Sequence, residues 1–218
     1  MLQMKNIIII SILIMFNGAS IIGVTCAEDT KAVMPDRVIS KSEVELRLTM
    51  RKLWESNTTL MRNYIVAEIK DHKDVEEARE KLLKNAGDLG VSIQPYYGYW
   101  ARAALTGFLK KDVALTSEVI KAAKRGKKKD MDWAKKKWYA NAFLLAGFLS
   151  IPNNQDMKDL KDMLYKHLDL VMGEIEAMLG EDGAKDLDYY ERDRAHMLMF
   201  SDVLTDGIIE QFPYKFKE

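Results

Sequence analysis

Apolar residues recur every three or four positions along most of this chain, and this spacing constrains its fold more than any other feature. The period matches an α-helix that buries one face. Ser42 and Glu45 form a capping box, the pattern that marks a helix start. The first helix is therefore predicted to run from Ser42 to about Lys70. Its inward-facing residues are Leu46, Met50, Leu53, Trp54, Met61, Tyr64, Ile65 and Ile69.

Five further helical segments are predicted, separated by short breaks rich in glycine, proline or asparagine. Asp74 is expected to cap a short helix that stops at Asn85 and Gly87, and 74–94 is interpreted as a small helical insertion. Longer helices are predicted over 99–124, 130–149, 156–179 and 184–211. The predicted fold is all-α, an up-and-down bundle of four to five long antiparallel helices in a single domain at 41–216.

The first 27 residues differ from the rest and have the pattern of an export signal. Lys5 precedes a run from Ile7 to Phe16 that is apolar except for Ser11, as in signal peptides. Cleavage after Ala27 would leave a flexible tether at 28–40 and a secreted or cell-envelope protein. The alternative is a retained N-terminal membrane anchor, because further apolar residues extend the run to about the length that spans a bilayer.

Composition and motifs narrow the function classes. Lys and Arg number 33, as do Asp and Glu, so no overall charge draws the chain to nucleic acid or to an acidic membrane. Cys26 is the only cysteine, and its removal with the leader would leave no disulfide or thiolate chemistry. Phosphate loops of the GxGxxG and GxxxxGKS/T types are absent. The sequence requires no cofactor and leaves a divalent metal open.

A dispersed set of polar residues is the candidate for a site inside the bundle. A ferritin-like di-metal centre needs two Glu-x-x-His motifs, and only Asp193-x-x-His196 approaches that spacing. A looser site could use His167, Glu55, Asp112 and Asp202. If these residues met at the bundle axis, they could bind a metal or small ligand, or one carboxylate could act as a general base. The alternative is solvated helix faces and one hydrogen-bonded core histidine.

A basic cluster is the main charge asymmetry of the sequence. It is a candidate docking surface for an anionic envelope polymer or a membrane surface. Nucleic acid is disfavoured as a partner, because the chain is predicted to be exported. The alternative is a set of cations that suits a helix C-terminus. The cluster consists of Lys124, Arg125, Lys127, Lys128 and Lys129.

Six short segments form an ordered set of motifs between residues 46 and 216. They are Leu53-Trp54-Glu55, Arg62-Asn63, Pro95-Tyr96-Tyr97-Gly98, Lys137-Trp138-Tyr139-Ala140-Asn141-Ala142, Met163-Leu164-Tyr165-Lys166-His167-Leu168-Asp169-Leu170 and Asp206-Gly207-Ile208-Ile209-Glu210-Gln211-Phe212-Pro213. Together they resemble a family of small helical-bundle proteins found mostly in Gram-positive bacteria. Its members are often labelled acetylglutamate kinase or glycosyltransferase.

The resemblance implies one helical domain, but the inherited labels do not fit these residues. A kinase of that type would be an α/β protein with glycine-rich phosphate loops. Relatives tend to carry histidines where this chain has Asn57 and Asp112, whereas His167 matches the family. If the family binds a metal through histidines from several helices, this chain lacks two of those ligands.

The leading functional prediction is an exported, non-catalytic helical bundle that serves as a binding or structural module at the cell envelope. The alternative is a metal- or small-ligand-binding bundle with a buried His/carboxylate site. A weaker alternative is a transferase or kinase, as the family labels suggest. The oligomeric state does not follow from the sequence.

Overall fold

The computed structural model describes residues 39–153 and 155–217, and these residues confirm the predicted all-α bundle. The elements are α1 (Lys41–Ile69), α2 (Val75–Arg125), α3 (Lys128–Asn153), α4 (Met157–Leu179), α5 (Gly183–Gln211) and a short 3₁₀-helix (Pro213–Lys215). No strand occurs within this part of the chain. The predicted leader and most of the predicted tether lie outside the described residues.

The five helices form a closed ring. Each packs against its neighbours in sequence, and α5 packs back against α1. The start of α1 differs slightly from expectation, because Ser40 rather than Ser42 is the N-cap. Its hydroxyl accepts a hydrogen bond from the backbone N–H of Glu43 at 3.2 Å, and the helix begins at Lys41. This capping bond satisfies one of the backbone donors exposed at a helix start.

Helix α2 is two antiparallel helices that meet at Gly98, where φ is 80° and ψ is −177°. A positive φ is readily adopted only by glycine, so the predicted break at Pro95–Gly98 is correct. The two halves, 75–97 and 99–125, pack so closely that a Cβ on Gly90 would lie 2.8 Å from the carbonyl oxygen of Arg102. The Gln94 side chain also accepts a hydrogen bond from Arg102 at 2.8 Å.

The 74–94 segment is an integral part of the core, which corrects its interpretation as a small insertion. Leu82, Ala86 and Leu89 are completely buried. The expected helix stop at Asn85 and Gly87 is also wrong. Asn85 is buried inside the helix, where it accepts a hydrogen bond from Asn57 at 2.9 Å and donates one to the Leu53 carbonyl at 3.1 Å. These tertiary contacts outweigh the local preference of asparagine for helix ends.

Because successive helical segments run in opposite directions, their connections gather at two ends of the bundle. We call the end that holds Ser40, Gly98, Asn153 and the C-terminal 3₁₀-helix the tether end. It is held together by the Asn153 amide, which donates to the Leu204 carbonyl at 2.8 Å and contacts the Tyr97 hydroxyl at 3.3 Å. The other end, which we call the distal end, holds the connections that follow α1, α2 and α4.

Two glycines test this packing as a matched pair. A Cβ on Gly207 would overlap with Asn153 Oδ1 and lie 2.5 Å from the Asn153 carbonyl oxygen, whereas a Cβ on Gly107 meets nothing within 4 Å. Gly207→Ala should therefore destabilise the bundle by about 1–3 kcal/mol through overpacking. Gly107→Ala should stabilise it by roughly 0.5–1 kcal/mol through helix propensity. Urea unfolding of both variants checks the signs; equal effects would contradict the tight contact.

Candidate functional site

A buried histidine–aspartate pair lies between α4 and α5. His167 Nδ1 is 2.7 Å from Asp193 Oδ1, and the two side chains are 7% and 4% exposed. A carboxylate oxygen accepts, so in this pair the imidazole N–H at Nδ1 is the donor. Burial opposes the charged imidazolium, but the charge and hydrogen bond of Asp193, with Asp112 and Glu174 nearby, raise the pKa of His167 above its usual value.

The second half of α2 and α3 contribute to the same region through Asp112 and Trp138. The indole Nε1 of the fully buried Trp138 donates to Asp112 Oδ1 at 2.7 Å. Burial raises the pKa of Asp112, and the nearby positive charge of His167 partly opposes this shift. Asp112 and His167 therefore influence each other electrostatically from two helices.

Arg62 connects α1 to this region through two carboxylates. Its Nη1 donates to Glu174 Oε1 at 2.7 Å and to Asp186 Oδ1 at 2.6 Å, and its Nη2 donates to Asp186 Oδ2 at 2.9 Å. The guanidinium also lies over the Tyr190 ring, 4.9 Å from its centroid. Such fork-like pairing with a carboxylate is the strongest geometry available to arginine.

These hydrogen bonds form three separate, largely buried groups that together include a residue from every helix of the ring, and charge effects couple Asp112 to His167 and Glu174 to Asp193. We call the three groups together the polar network. Its members are Arg62, Asp112, Trp138, His167, Glu174, Asp186 and Asp193. Four are carboxylates, but only one arginine and one histidine can carry positive charge. Burial raises the pKa of Glu174 to about 7, despite the opposing charge of Arg62. The network has more acids than bases, and the raised pKa values mean that the carboxyl groups of Glu174 and Asp112 bind protons more readily than exposed carboxyl groups do.

Only two of the four residues predicted as a metal site, His167 and Asp112, lie near enough to influence each other electrostatically. Glu55 accepts a hydrogen bond from Arg194 Nε at 2.8 Å, and Asp202 accepts two from Arg51, each at 2.8 Å. Both pairs lie on partly exposed faces. The four-residue grouping therefore needs correction. In the described residues, no three His, Cys, Asp or Glu side chains are arranged to hold a metal ion.

Other expectations about polar residues also change. Glu174 is buried, although nothing in the sequence around it distinguishes it from an exposed helical carboxylate. Asp193 was notable only for its spacing from His196, and that histidine instead has its Nε2 2.8 Å from the Met163 carbonyl oxygen. Asn57, which stands where relatives tend to carry histidine, is bonded to Asn85 instead. Arg62 lies in a motif, but no sequence signal marks it as an ion-pair centre.

The predicted basic cluster is largely compensated by neighbouring acids at the distal end. Lys124 Nζ lies 2.7 Å from Asp71, Arg125 Nε lies 3.5 Å from Asp130, and Lys128 Nζ lies 2.9 Å from Asp132. Lys127 and Lys129 are exposed at the same turn. Polyanion binding by this cluster stays a prediction, and the three ion pairs weaken the local positive field.

An apolar cavity lies in the core towards the tether end. Its lining residues include Met50, Trp54, Tyr97, Phe148 and Asn153. The volume that the centre of a water molecule can occupy inside it is about 20 Å³. A cavity needs roughly 10–15 Å³ of such volume to hold one water molecule. The cavity therefore has room for one molecule the size of water and is too small for a metabolite.

Comparison with known proteins identifies no relative of this chain. No protein-family model matches the chain, and neither the curated proteins nor the solved structures contain a match. The fold and the site by themselves define an all-α bundle whose helices are joined by largely buried acidic and basic side chains.

The raised pKa of Glu174 predicts a pH-dependent stability. The folded state binds the proton more tightly than the unfolded chain, whose pKa is near 4.5, so stability should fall as pH rises from about 4.5 through 7. A shift of this size corresponds to about 3 kcal/mol. The raised pKa values of Asp112 and His167 act in the same direction. Denaturant unfolding between pH 5 and pH 8 measures the slope.

Glu174→Gln should flatten this slope, because the amide cannot ionise but can still accept a hydrogen bond from Arg62. Glu176→Gln is the matched control on the same helix, since Glu176 is exposed. An unchanged slope in Glu174→Gln would show that this carboxyl does not bind the proton.

Proposed function

We propose that this protein is an exported helical bundle that acts as a non-catalytic binding module at the cell envelope. The observation that carries the proposal is the closure of its acid–base network. A general acid or base must come within hydrogen-bond reach of its substrate, whereas His167 and Asp193 are under a tenth exposed and paired with each other. A closed network supports a role in holding helices together more than a role in turnover.

The exported location rests on the sequence of the first 27 residues. A positive residue followed by an apolar run is the pattern of a secretory leader. Among the described helices, none has both the length and the apolar character to cross a membrane. The leader would therefore either direct this helical bundle out of the cytosol or attach it to the membrane.

Export is tested by fractionating cells that produce the full chain and identifying the N-terminus of the product. We expect the protein in the envelope or culture fraction, beginning at Glu28 if the leader is cleaved. Leu13→Asp interrupts the apolar run and should keep the chain in the cytosol. An unprocessed wild-type chain confined to the cytosol would contradict the proposal.

A second candidate is a bundle whose buried site binds a small ligand. The observation that favours it is the approach of Asp112 and His167 from different helices, within a network that has more acids than bases. The two candidates differ in whether the buried site is occupied, since only the second requires a stoichiometric ligand bound to the folded protein.

Native mass spectrometry and elemental analysis of the purified protein separate these candidates. We expect wild type to have the mass of the polypeptide alone. A stoichiometric added mass or metal that Asp112→Asn removes would favour the ligand-binding candidate. Asp188→Asn is the control, because Asp188 forms an exposed pair with Arg192 at 3.1 Å and should have no effect on occupancy.

A further inference from the structure

Four large side chains are unusually exposed at the tether end. Tyr99 and Trp100 at the start of the second half of α2 are 62% and 83% exposed, Ile151 near the end of α3 is 85% exposed, and Tyr214 in the 3₁₀-helix is 64% exposed. We call these four residues the tether-end surface. Single exposed apolar residues are common on soluble proteins, but four from three elements at one end need a physical reason.

The tether-end surface adjoins a connected set of partly buried contacts. The Tyr214 ring lies 6.2 Å from the Phe212 ring, which lies 5.3 Å from the Tyr97 ring. The Tyr97 hydroxyl contacts Asn153, two residues beyond Ile151. Tyr99 is two residues beyond Tyr97, and its ring lies 5.7 Å from that of Trp100. The four exposed side chains therefore project from one firmly packed region rather than from loose termini.

The chain enters the described bundle at this same end. Ile39 is itself exposed and precedes the N-cap Ser40 of α1. Ile39 belongs to the predicted 13-residue tether at 28–40, which follows the apolar leader at 1–27. A tether of this length spans at most about 45 Å when fully extended. If the leader engages a membrane, the tether therefore connects that membrane to the bundle at the tether end.

The chemistry of the surface matches the headgroup region of a bilayer. Tyrosine and tryptophan are enriched at membrane–water interfaces, because each combines an apolar ring with a polar group. Lys215 supplies a cation beside them, with its Nζ 6.0 Å from the centroid of the Tyr214 ring and 2.8 Å from the Pro95 carbonyl oxygen. Lysine can keep its charge at the headgroups while its carbon chain lies against apolar groups.

We propose that the tether-end surface inserts into the interfacial layer of a lipid bilayer and orients the bundle on it. This inference rests on the proposed location at the cell envelope and specifies the partner as the membrane itself. A second copy of the chain is a poorer occupant, since the four side chains expose roughly 600 Å² and a standard interface uses about 800 Å² on each partner. The membrane contact is thus assigned to the tether end rather than to the basic cluster.

The tryptophans provide a direct test with an internal control. Trp100 and Trp133 are 83% and 61% exposed at opposite ends, whereas Trp54 and Trp138 are buried. The full chain is bound to phosphatidylcholine–phosphatidylglycerol vesicles that contain lipid brominated on its acyl chains, a short-range quencher of indole fluorescence. We expect quenching in wild type and in Trp133→Phe, and its loss in Trp100→Phe.

A second pair of variants measures the contribution to binding. Ile151→Ser should weaken vesicle binding by about tenfold, as expected for the loss of one large aliphatic side chain from an apolar environment. Leu144→Ser is the control, because Leu144 is exposed on the same helix nearly two turns away from Ile151. It should bind vesicles like wild type. Both positions are exposed, so the fold should tolerate both changes.

The outcomes separate this inference from the proposed function. If the chain occupies the envelope fraction but Trp100→Phe and Trp133→Phe are quenched equally, the inference is overturned and the location stands. If the wild-type chain is confined to the cytosol, the proposed function itself fails. A stable dimer that Trp100→Phe dissociates, without quenching by brominated lipid, would overturn the inference in favour of a second copy.

Discussion

The ion pairs of Arg62 are the interaction on which the architecture depends most. This side chain from α1 donates hydrogen bonds to Glu174 on α4 and to both carboxylate oxygens of Asp186 on α5. Removing the arginine would leave two carboxylates without their partner in a region where burial already disfavours charge. Arg62 therefore fixes α1 against α4 and α5, where the last helix of the ring meets the first.

Two further polar pairs connect other neighbouring helices of the bundle. His167 and Asp193 connect α4 to α5, while Asp112 and Trp138 connect α2 to α3. Each pair satisfies polar groups that would be costly to bury alone. Apolar packing supplies most of the stabilisation in a bundle of this kind, and the polar contacts select one alignment of the helices. The tether end then presents its apolar side chains from a scaffold that this alignment holds in place.

The sequence predicts the helices well because their signal is periodic and local. Glycine and proline mark Gly98 and Gly126 correctly, since positive φ is a property of a single residue. Asn85 shows the limit of local reasoning: its preference for helix ends gives way to two hydrogen bonds with α1. The candidate site was harder to predict, because both Glu55 and Glu174 lie inside helices and no local signal says which carboxylate is buried. Only the three-dimensional packing places one beside Arg194 and buries the other beside Arg62.

Native-state hydrogen exchange on Arg62→Met tests the central claim most directly. If the network aligns the whole ring, the most protected amides of all five helices should lose protection together, by about 3–5 kcal/mol. Arg192→Met is the matched control, since Arg192 pairs with Asp188 at 3.1 Å on an exposed face and should change protection by less than about 1 kcal/mol. A loss confined to the amides around residue 62, or one no larger than in the control, would contradict the account.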